Sequence, residues 1–247
     1  MQGIRNTSPP PTRSDAPVES AYTLHSTTQP ALHRMRSHAG AYDVDVSGTS
    51  LLVLPGVWSP AYDWSGRFHV EALPEVHGRD ILEIGSGCGL ISVFAVLRGA
   101  RSVLAVDINP VAVENTRINF ERLGAAGIVA CARVSDVFSN VEGKFDLVIW
   151  NAPYHGSAPA DMLERACADE RYASLRKFFE GVADHLRPGG MIQIGFSTSG
   201  DVCLLQALIR EHGLAIQRRI GDVRNGYNCE VLDLVLAETT TGSGDLA

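Results

Sequence analysis

Short apolar runs recur along the chain from residue 42 onward, and segments with helical spacing separate most of them. Nine runs have the length and side-chain types of strands: YDVDV, SLLVL, DILEIG, SVLAVDI, IVACARV, FDLVIWN, MIQIGFS, AIQRRIG and CEVLDLVLA. Helical patterns lie between the later runs, in LISVFAVLRG, PVAVENTRINFERLG, the stretch from about 162 to 186, and DVCLLQALIREHG. The first two runs flank Ser-Gly-Thr and predict a hairpin that leads into the core.

Strands that alternate with helical segments are typical of βαβ units, in which helices cover both faces of a mainly parallel sheet. The last two runs are joined only by DVRNGYN, which is too short for a parallel crossover. The last strand is therefore expected to run antiparallel to its neighbour. The pattern predicts an α/β, doubly wound, mainly parallel seven-stranded sheet with an antiparallel last strand.

The chain of 247 residues can hold one large domain or two small ones, and we expect one core. Residues 1–38 are rich in Pro, Ser, Thr and His without sustained periodicity, and they predict a flexible N-terminal arm. This arm is either a dispensable extension or a lid over a substrate. The hairpin and a segment bordering the pocket are expected at 39–70, the main domain at 71–238 and a disordered tail at 239–247.

The charge and the cysteines limit the classes of partner. A formal net charge of −7 with scattered Lys and Arg argues against a broad nucleic-acid-binding face, although a local basic groove stays open. The five cysteines include no C-x-x-C pair, so we expect reduced thiols in the cytoplasm and no metal site. No run approaches the ~20 apolar residues of a membrane helix, and no pattern indicates an oligomeric state.

Polar residues and glycines follow three consecutive predicted strands. Gly85, Gly87 and Gly89 follow the first, Asp107 ends the second, and Asp136 follows the third. Parallel strands bring these positions to one edge of the sheet, where ligands of such folds bind. Asp107 can accept both hydroxyls of a ribose that lies across the glycine turn. The alternatives are that the glycines serve packing and that Asp107 is a charge at a helix N-terminus.

These motifs together resemble the class I S-adenosylmethionine (SAM) dependent methyltransferases over residues 50–238. The glycine spacing is G-x-G-x-G after Glu83, and Leu90 stands where a dinucleotide fingerprint requires glycine. DINPVAVENTRIN and NAPY resemble the release-factor glutamine methyltransferase (HemK-like) group. The resemblance implies a Rossmann-like methyltransferase fold and SAM as cofactor, and it implies this set of cofactor-binding residues: Glu83, Gly85, Ser86, Gly87, Gly89, Asp107, Ile108, Asp136, Val137 and Asn151.

The tetrapeptide Asn-Ala-Pro-Tyr at 151–154 resembles the Asn-Pro-Pro-Tyr motif of methyltransferases that act on planar nitrogens. The resemblance implies that the Asn151 side-chain oxygen and the Ala152 carbonyl accept hydrogen bonds from the target NH2 group. Such acceptors orient a poorly nucleophilic nitrogen and stabilise the positive charge that grows on it. The predicted catalytic residues are Asn151, Ala152, Pro153 and Tyr154. Ala152 replaces the first proline, so the turn loses a fixed φ but keeps the carbonyl.

The predicted substrate-binding residues come from two places in the chain: Trp58, Asp63 and Trp64, which the family places at the mouth of the pocket, and Tyr154 and His155. Each has a structural alternative. The tryptophans are equally well explained as core anchors, Tyr154 as packing under its loop, and His155 as a solvated loop residue. The carboxylates in DMLERACADERY either face a cationic substrate or belong to a solvated helix face.

The sequence therefore predicts a SAM-dependent N-methyltransferase that acts on an amide, guanidino or amino nitrogen of a small molecule or a protein side chain. Two alternatives stay open. The same tetrapeptide serves nucleic-acid base methyltransferases, against which the net charge of −7 argues. The altered tetrapeptide is also compatible with a non-catalytic SAM-binding partner subunit.

Overall fold

The computed structural model describes residues 28–125, 129–224 and 227–237. The first part of the predicted arm, residues 1–27, and the predicted tail at 239–247 lie outside the described residues. Within the described ranges, no helix has the length and apolar character needed to cross a membrane. The cytoplasmic location stays a prediction.

The last part of the predicted arm is a packed helix, α1 (Thr28–Arg36), which corrects the expectation of a flexible segment there. Its apolar side chains Leu32 and Met35 are buried in a cluster with Leu163. Arg36 pairs with two carboxylates of the segment beneath it, at 2.8 Å to Asp161 and 2.7 Å to Glu164. The sequence of α1 alone is polar, so its helical state depends on this tertiary packing.

The predicted hairpin is confirmed by β1 (Tyr42–Val46) and β2 (Thr49–Val53), which pair in antiparallel fashion. Two asparagine side chains of a later helix hold it against the domain. The backbone N–H of Leu52 donates to Asn119 Oδ1 at 2.9 Å, and that of Leu54 donates to Asn115 Oδ1 at 2.8 Å. A short helix, α2 (Ser65–Glu71), then enters the core.

The main sheet confirms the predicted architecture. Its seven strands are β3 (Asp80–Ile84), β4 (Ser102–Asp107), β5 (Val129–Val134), β6 (Phe145–Asn151), β7 (Leu186–Ser197), β8 (Leu214–Arg224) and β9 (Tyr227–Leu236). The spatial order is β5-β4-β3-β6-β7-β9-β8. Strands β3 to β7 pair in parallel, whereas β9 is antiparallel to both β7 and β8. The chain reverses its strand order between β3 and β6, which creates a crevice at their carboxyl ends.

Four helices complete the two faces of the sheet: α3 (Leu90–Leu97), α4 (Pro110–Arg122), α5 (Ala173–Gly181) and α6 (Val202–Glu211). Two separate hydrophobic clusters cover the two sides of the strands. The stretch from 162 to 186 is less regular than its pattern predicts. Arg171 and Tyr172 have φ of 53° and 58°, which breaks the helix into 3-10 turns before α5 begins.

Candidate active site

A cavity opens at the carboxyl ends of β3, β4 and β6 and extends beneath the segment that follows the tetrapeptide. The half in which the sequence predicts the cofactor, here called the cofactor half, is lined by the glycine turn, by Asp107 and Ile108, and by residues 135–137. Its other half is bordered by residues from three distant parts of the chain: Trp58, Pro60, Asp63, Asn151, Pro153, Tyr154, Pro159, Met162, Arg165, Glu170 and Phe196. The predicted edge of the sheet and the predicted tetrapeptide therefore share one site.

The glycine turn follows β3, and its three glycines have distinct surroundings. Gly87 has φ of 56°, and a Cβ there would meet no atom within 4 Å, so bare backbone faces the cavity. A Cβ at Gly85 would lie 3.1 Å from Trp150 Nε1. Gly89 caps α3 and does not line the cavity. Its predicted role in cofactor binding is therefore indirect, through the start of the helix.

Glu83 lies buried beneath this turn. Its carboxylate accepts hydrogen bonds from the backbone N–H of Ser92, at 2.9 Å, and from the Ser92 hydroxyl. Burial raises the pKa of Glu83 to about 8, and the nearby charge of Asp107 acts in the same direction. The carboxyl group thus serves the first turn of α3 and also borders the cavity.

Asp107 ends β4 with both carboxylate oxygens held by the backbone. The N–H of Gly87 donates to Oδ2 at 2.9 Å, and the N–H of Asn109 donates to Oδ1 at 2.8 Å. Burial raises the pKa of Asp107. Asn109 caps α4 by accepting from the N–H of Val111 at 3.0 Å, so the helix start does not depend on Asp107. The carboxylate keeps lone pairs for a ligand with two hydroxyls.

The turn after β5 carries a strained residue. Val137 has φ of 53°, which is an outlier for a β-branched side chain, and it is buried while lining the cavity. Such strain is concentrated at ligand sites, where the surrounding structure holds it. Asp136 also lines the cavity, but its carboxylate pairs with Lys177 Nζ at 2.5 Å. A ligand contact by Asp136 would compete with this half-exposed ion pair.

Asn151 is the last residue of β6, and its side chain meets the segment before β3. Its Nδ2 donates to Ser65 Oγ at 3.3 Å, and the Ser65 hydroxyl donates to Asp63. Trp58 Nε1 donates to the same carboxylate oxygen of Asp63 at 3.2 Å. Burial raises the pKa of Asp63. These contacts connect the predicted catalytic asparagine to two of the predicted substrate-binding residues.

The turn after Asn151 is anchored on both sides. The N–H of Ala152 donates to the carbonyl of Gly195 at 3.0 Å, so the peptide remains fixed without the family's first proline. The carbonyl of Tyr154 accepts from the Tyr172 hydroxyl at 3.1 Å, and the Tyr154 hydroxyl lies 3.2 Å from Thr28 Oγ1. Tyr154 lines the cavity while its far end contacts α1.

Two predicted substrate-binding residues do not line the cavity. His155 is fully buried rather than solvated, and its Nε2 lies 3.1 Å from Thr28 Oγ1, behind the cavity wall. Trp64 packs against Phe68, with the Arg224 guanidinium 4.9 Å from its ring centroid. Trp64 therefore fits the alternative of a core anchor.

The acidic segment does not form a solvated helix face. Asp161 and Glu164 pair with Arg36, and Asp169 is buried, where it accepts from the backbone N–H groups of Ser174 and Leu175. The segment has four carboxylates, and two of them, Asp169 and Glu170, line the cavity. Of these two, only Glu170 is exposed. The segment mainly supports the cavity wall.

Three residues at the site were not predicted from the sequence: Ser65, Trp150 and His69. Ser65 is in the segment that was predicted to border the pocket, and Trp150 precedes the tetrapeptide directly. His69 gave no signal in the sequence. It lies on the short helix α2, four residues after Ser65, and comes close to Asn151 only through the packing of α2 against β6.

Comparisons with known proteins agree with this geometry. Residues 48–219 match the family model described as the methyltransferase small domain. The chain is 31% identical over 161 residues to a candidate protein N5-glutamine methyltransferase of Methanocaldococcus jannaschii, covering 61% of this chain and 77% of that protein. It is also 31% identical to ribosomal RNA small subunit methyltransferase C of Aeromonas hydrophila, covering 63% of this chain but only 42% of the relative.

The fold is also found in solved structures. A candidate methyltransferase complexed with S-adenosylhomocysteine superposes with a TM-score of 0.61 at 14% identity, covering 80% of this chain and 56% of that chain. At this identity the similarity concerns the fold. It supports the doubly wound α/β architecture predicted from the order of strands and helices, and the Rossmann-like methyltransferase fold that the resemblance implies.

Proposed function

The chain belongs to the methyltransferase small domain family, and from this premise we propose that it transfers a methyl group from SAM to a planar amide nitrogen, with a glutamine-like protein side chain as the preferred acceptor. One observation carries the proposal: Asn151 ends β6 at the cavity, beside the half that carries the glycine turn and Asp107. The similarity to a candidate glutamine methyltransferase selects the amide among planar nitrogens.

The cofactor half has the features that SAM requires. Asp107 would accept the ribose hydroxyls, the bare backbone at Gly87 would allow close approach, and the strained turn at Val137 would meet the adenine. Glu83, Gly85, Ser86, Ile108 and Asp136 would complete the set, while Gly89 acts through α3. Bound SAM supplies an electrophilic methyl group on a sulfonium.

The chemical task of the protein is to present the acceptor nitrogen. An amide nitrogen is a poor nucleophile because its lone pair is delocalised into the carbonyl. Asn151 Oδ1 and the carbonyl of Ala152 would accept its two hydrogens and direct the lone pair toward the methyl group. As the nitrogen becomes positive, the same acceptors stabilise the charge, and a proton leaves to solvent after transfer.

The surroundings of the acceptor support a flat group. The cavity half near Asn151 is bordered by Trp58, Pro153, Tyr154 and Met162, which offer aromatic and aliphatic contacts, and also by the charged side chains of Asp63, Arg165 and Glu170. Pro153 and Tyr154 are buried, so the turn presents a fixed surface. An acceptor side chain that enters this half would displace water, and the exclusion of water would strengthen its polar contacts with Asn151.

Methyl-labelled SAM, supplied with separate protein, metabolite and RNA fractions of the host, tests the proposal. We expect label in the protein fraction with the native chain and a large loss with Asn151→Ala. Label confined to RNA would contradict the proposal and support the nucleic-acid alternative, which the ribosomal RNA relative also suggests. Bound SAM with label in no fraction would contradict it in favour of a non-catalytic SAM-binding subunit.

A further inference from the structure

A buried histidine lies behind the tetrapeptide. His69 on α2 is fully buried, and neither ring nitrogen has a hydrogen-bond partner among the described residues. Burial lowers its pKa to about 4, with the side chains of Asn151 and Gln193 and the charge of Asp233 acting in the opposite direction. The imidazole is therefore neutral at physiological pH, so one nitrogen donates and the other accepts.

The orientation of Gln193 decides which nitrogen donates. Its amide nitrogen donates to the carbonyl of Ala72 at 3.0 Å and to Asp233 Oδ1 at 2.8 Å. Both partners are acceptors, because Asp233 is itself held by Arg218 as a carboxylate. The Gln193 amide cannot turn around without losing both contacts. Its Oε1 is consequently left as a buried acceptor, and it too has no partner among the described residues.

Three buried atoms that need partners thus come from two adjacent side chains: Gln193 Oε1 and both ring nitrogens of His69. His69 Nδ1 borders Gly195 and Asn151, which leaves Nε2 as the ring nitrogen for Gln193, and a proton on Nε2 would let the ring donate to Oε1. A neutral ring protonated at Nε2 presents the lone pair of Nδ1 on its other side. The Asn151 amide borders the ring on that side.

The glycine at position 195 makes room for this contact. A Cβ at Gly195 would lie 2.7 Å from His69 Nδ1 and 2.6 Å from the Asn151 amide atom placed as Oδ1. Both side chains therefore border the same small space. Which end of an amide carries the oxygen follows from the hydrogen bonds around it. Beside an acceptor at Nδ1, the stable orientation of Asn151 turns its NH2 group toward His69.

With its NH2 group turned toward His69, Asn151 has its amide oxygen on the side of Ser65 and the cavity. The Ser65 hydroxyl has one hydrogen, and it donates this hydrogen to Asp63. Turning the amide exchanges the donation from Nδ2 to Ser65 Oγ at 3.3 Å for a donation to His69 Nδ1, and the oxygen of Asn151 then faces the cavity with an unfilled need for a donor. An N–H of the acceptor amide meets this need.

We propose that His69 is a positioning residue that, as the Nε2–H tautomer, orients the Asn151 amide so that its oxygen faces the methyl acceptor. The inference rests on the proposed function for the identity of the acceptor. The orientation itself depends only on side chains of this chain. With the opposite tautomer, Nδ1–H would hold the Asn151 oxygen and an NH2 group would face the acceptor, which repels an incoming N–H.

The tautomer can be measured without any acceptor. Long-range 1H–15N spectra of the full chain labelled at histidine nitrogens distinguish the two neutral forms, and His69→Gln assigns the signal among the eight histidines. We expect the Nε2–H pattern without titration from about pH 5.5 to 8. An Nδ1–H pattern, or titration near the ordinary value of 6.5, would overturn the proposal. If His69→Gln does not fold, Gln193→Leu assigns the signal instead, because it changes the chemical shift of the His69 Nε2 resonance.

A rate measurement tests the consequence for catalysis. His69→Phe keeps a planar ring but removes the acceptor, and we expect the transfer of label to the protein fraction to fall by about 100-fold. SAM affinity measured by calorimetry should change by less than about twofold. His69→Gln retains a donor and an acceptor and should recover part of the rate. A rate unchanged in His69→Phe would contradict the proposal, whereas failure of the native chain to label protein would contradict only the proposed acceptor.

Discussion

The two halves of the cavity are held in different ways. In the cofactor half, the key side chain Asp107 is fixed by backbone N–H groups of Gly87 and Asn109, close to it in the sheet edge. In the other half, here called the acceptor half, Asn151 lies beside the side chains of Ser65 and His69, which come from a helix more than 80 residues earlier in the chain. Backbone contacts survive many substitutions, whereas side-chain contacts depend on each partner.

This difference predicts different tolerance to mutation. The glycine turn and Asp107 are joined by a backbone hydrogen bond, so their arrangement depends on the spacing of the motif more than on other side chains. The acceptor half combines α1, the segment 58–69, the tetrapeptide and β7, so each element can change separately. We infer that the cofactor half fixes the reaction type and that the acceptor half determines the substrate.

Removing the Asn151 side chain should give the largest difference between the effect on the transfer rate and the effect on SAM affinity. In Asn151→Ala, we expect the transfer rate to fall by about 100- to 1,000-fold, because one of two acceptors for the reacting group is lost. SAM affinity should stay within about threefold of the native value. Radiometric rates and calorimetry measure the two effects. An equal loss of SAM affinity would contradict the placement of Asn151 in the acceptor half.

Removing Asp107 should give the complementary result. Asp107→Ala would lose the two charge-assisted contacts that we propose for the ribose, so SAM affinity should fall by about 100-fold or more. Asp107→Asn is the matched control, because it keeps the size of the side chain and loses the charge. Calorimetric titration of both variants decides the point. Native affinity in Asp107→Ala would show that the ribose lies elsewhere.

The substitution Gly195→Ala should displace side chains of the acceptor half and leave the cofactor half unchanged. The new Cβ would lie 2.6 Å from the Asn151 amide and 2.7 Å from His69 Nδ1, so both side chains must move. We expect the rate to fall by about 10- to 100-fold and the free energy of unfolding to fall by about 1–3 kcal/mol. Gly40→Ala, where a Cβ meets nothing within 4 Å, is the control. Equal effects of the two substitutions would contradict the close contact.

The buried Glu83 predicts a smaller, pH-dependent effect on stability. Because burial raises its pKa from 4.5 to about 8, the native state keeps a proton that the unfolded state releases in this range. Stability from this group is therefore complete below pH 4.5 and decreases as the pH rises toward 8. The slope is at most about 1.4 kcal/mol per pH unit. Urea unfolding from pH 5 to 8 should show this slope in the native chain and not in Glu83→Gln.

The sequence predicted the sheet and the position of Gly87 beside Asp107, since both depend on local periodicity and contiguous motifs. The hairpin, the antiparallel strand β9 and the edge formed by Gly87 and Asp107 agree with the structure. The polar helix α1 was missed because its apolar face is too small to recognise without its partner Leu163. The stretch around Arg171 was assigned a helical pattern, although positive φ values interrupt it.

The acceptor half was predicted only in part. Asn151 and Asp63 were recognised through their resemblance to family motifs, but the hydroxyl of Ser65 that connects them depends on tertiary packing. His155 was predicted to bind substrate, with a solvated loop residue as the alternative, yet it is fully buried beside Thr28 of α1. His69 and Gln193 meet only when α2 packs on β7. Such contacts between distant segments leave no spacing pattern in one sequence.

The chemical form of the product tests the central claim most directly. Protein labelled by methyl-labelled SAM and the native chain can be hydrolysed in acid, which converts an N-methylated side-chain amide into methylamine. The account predicts that the label is recovered as methylamine and is absent with Asn151→Ala. Label recovered as a methylated lysine or arginine, or found only in nucleosides, would contradict methyl transfer to a planar amide nitrogen at Asn151.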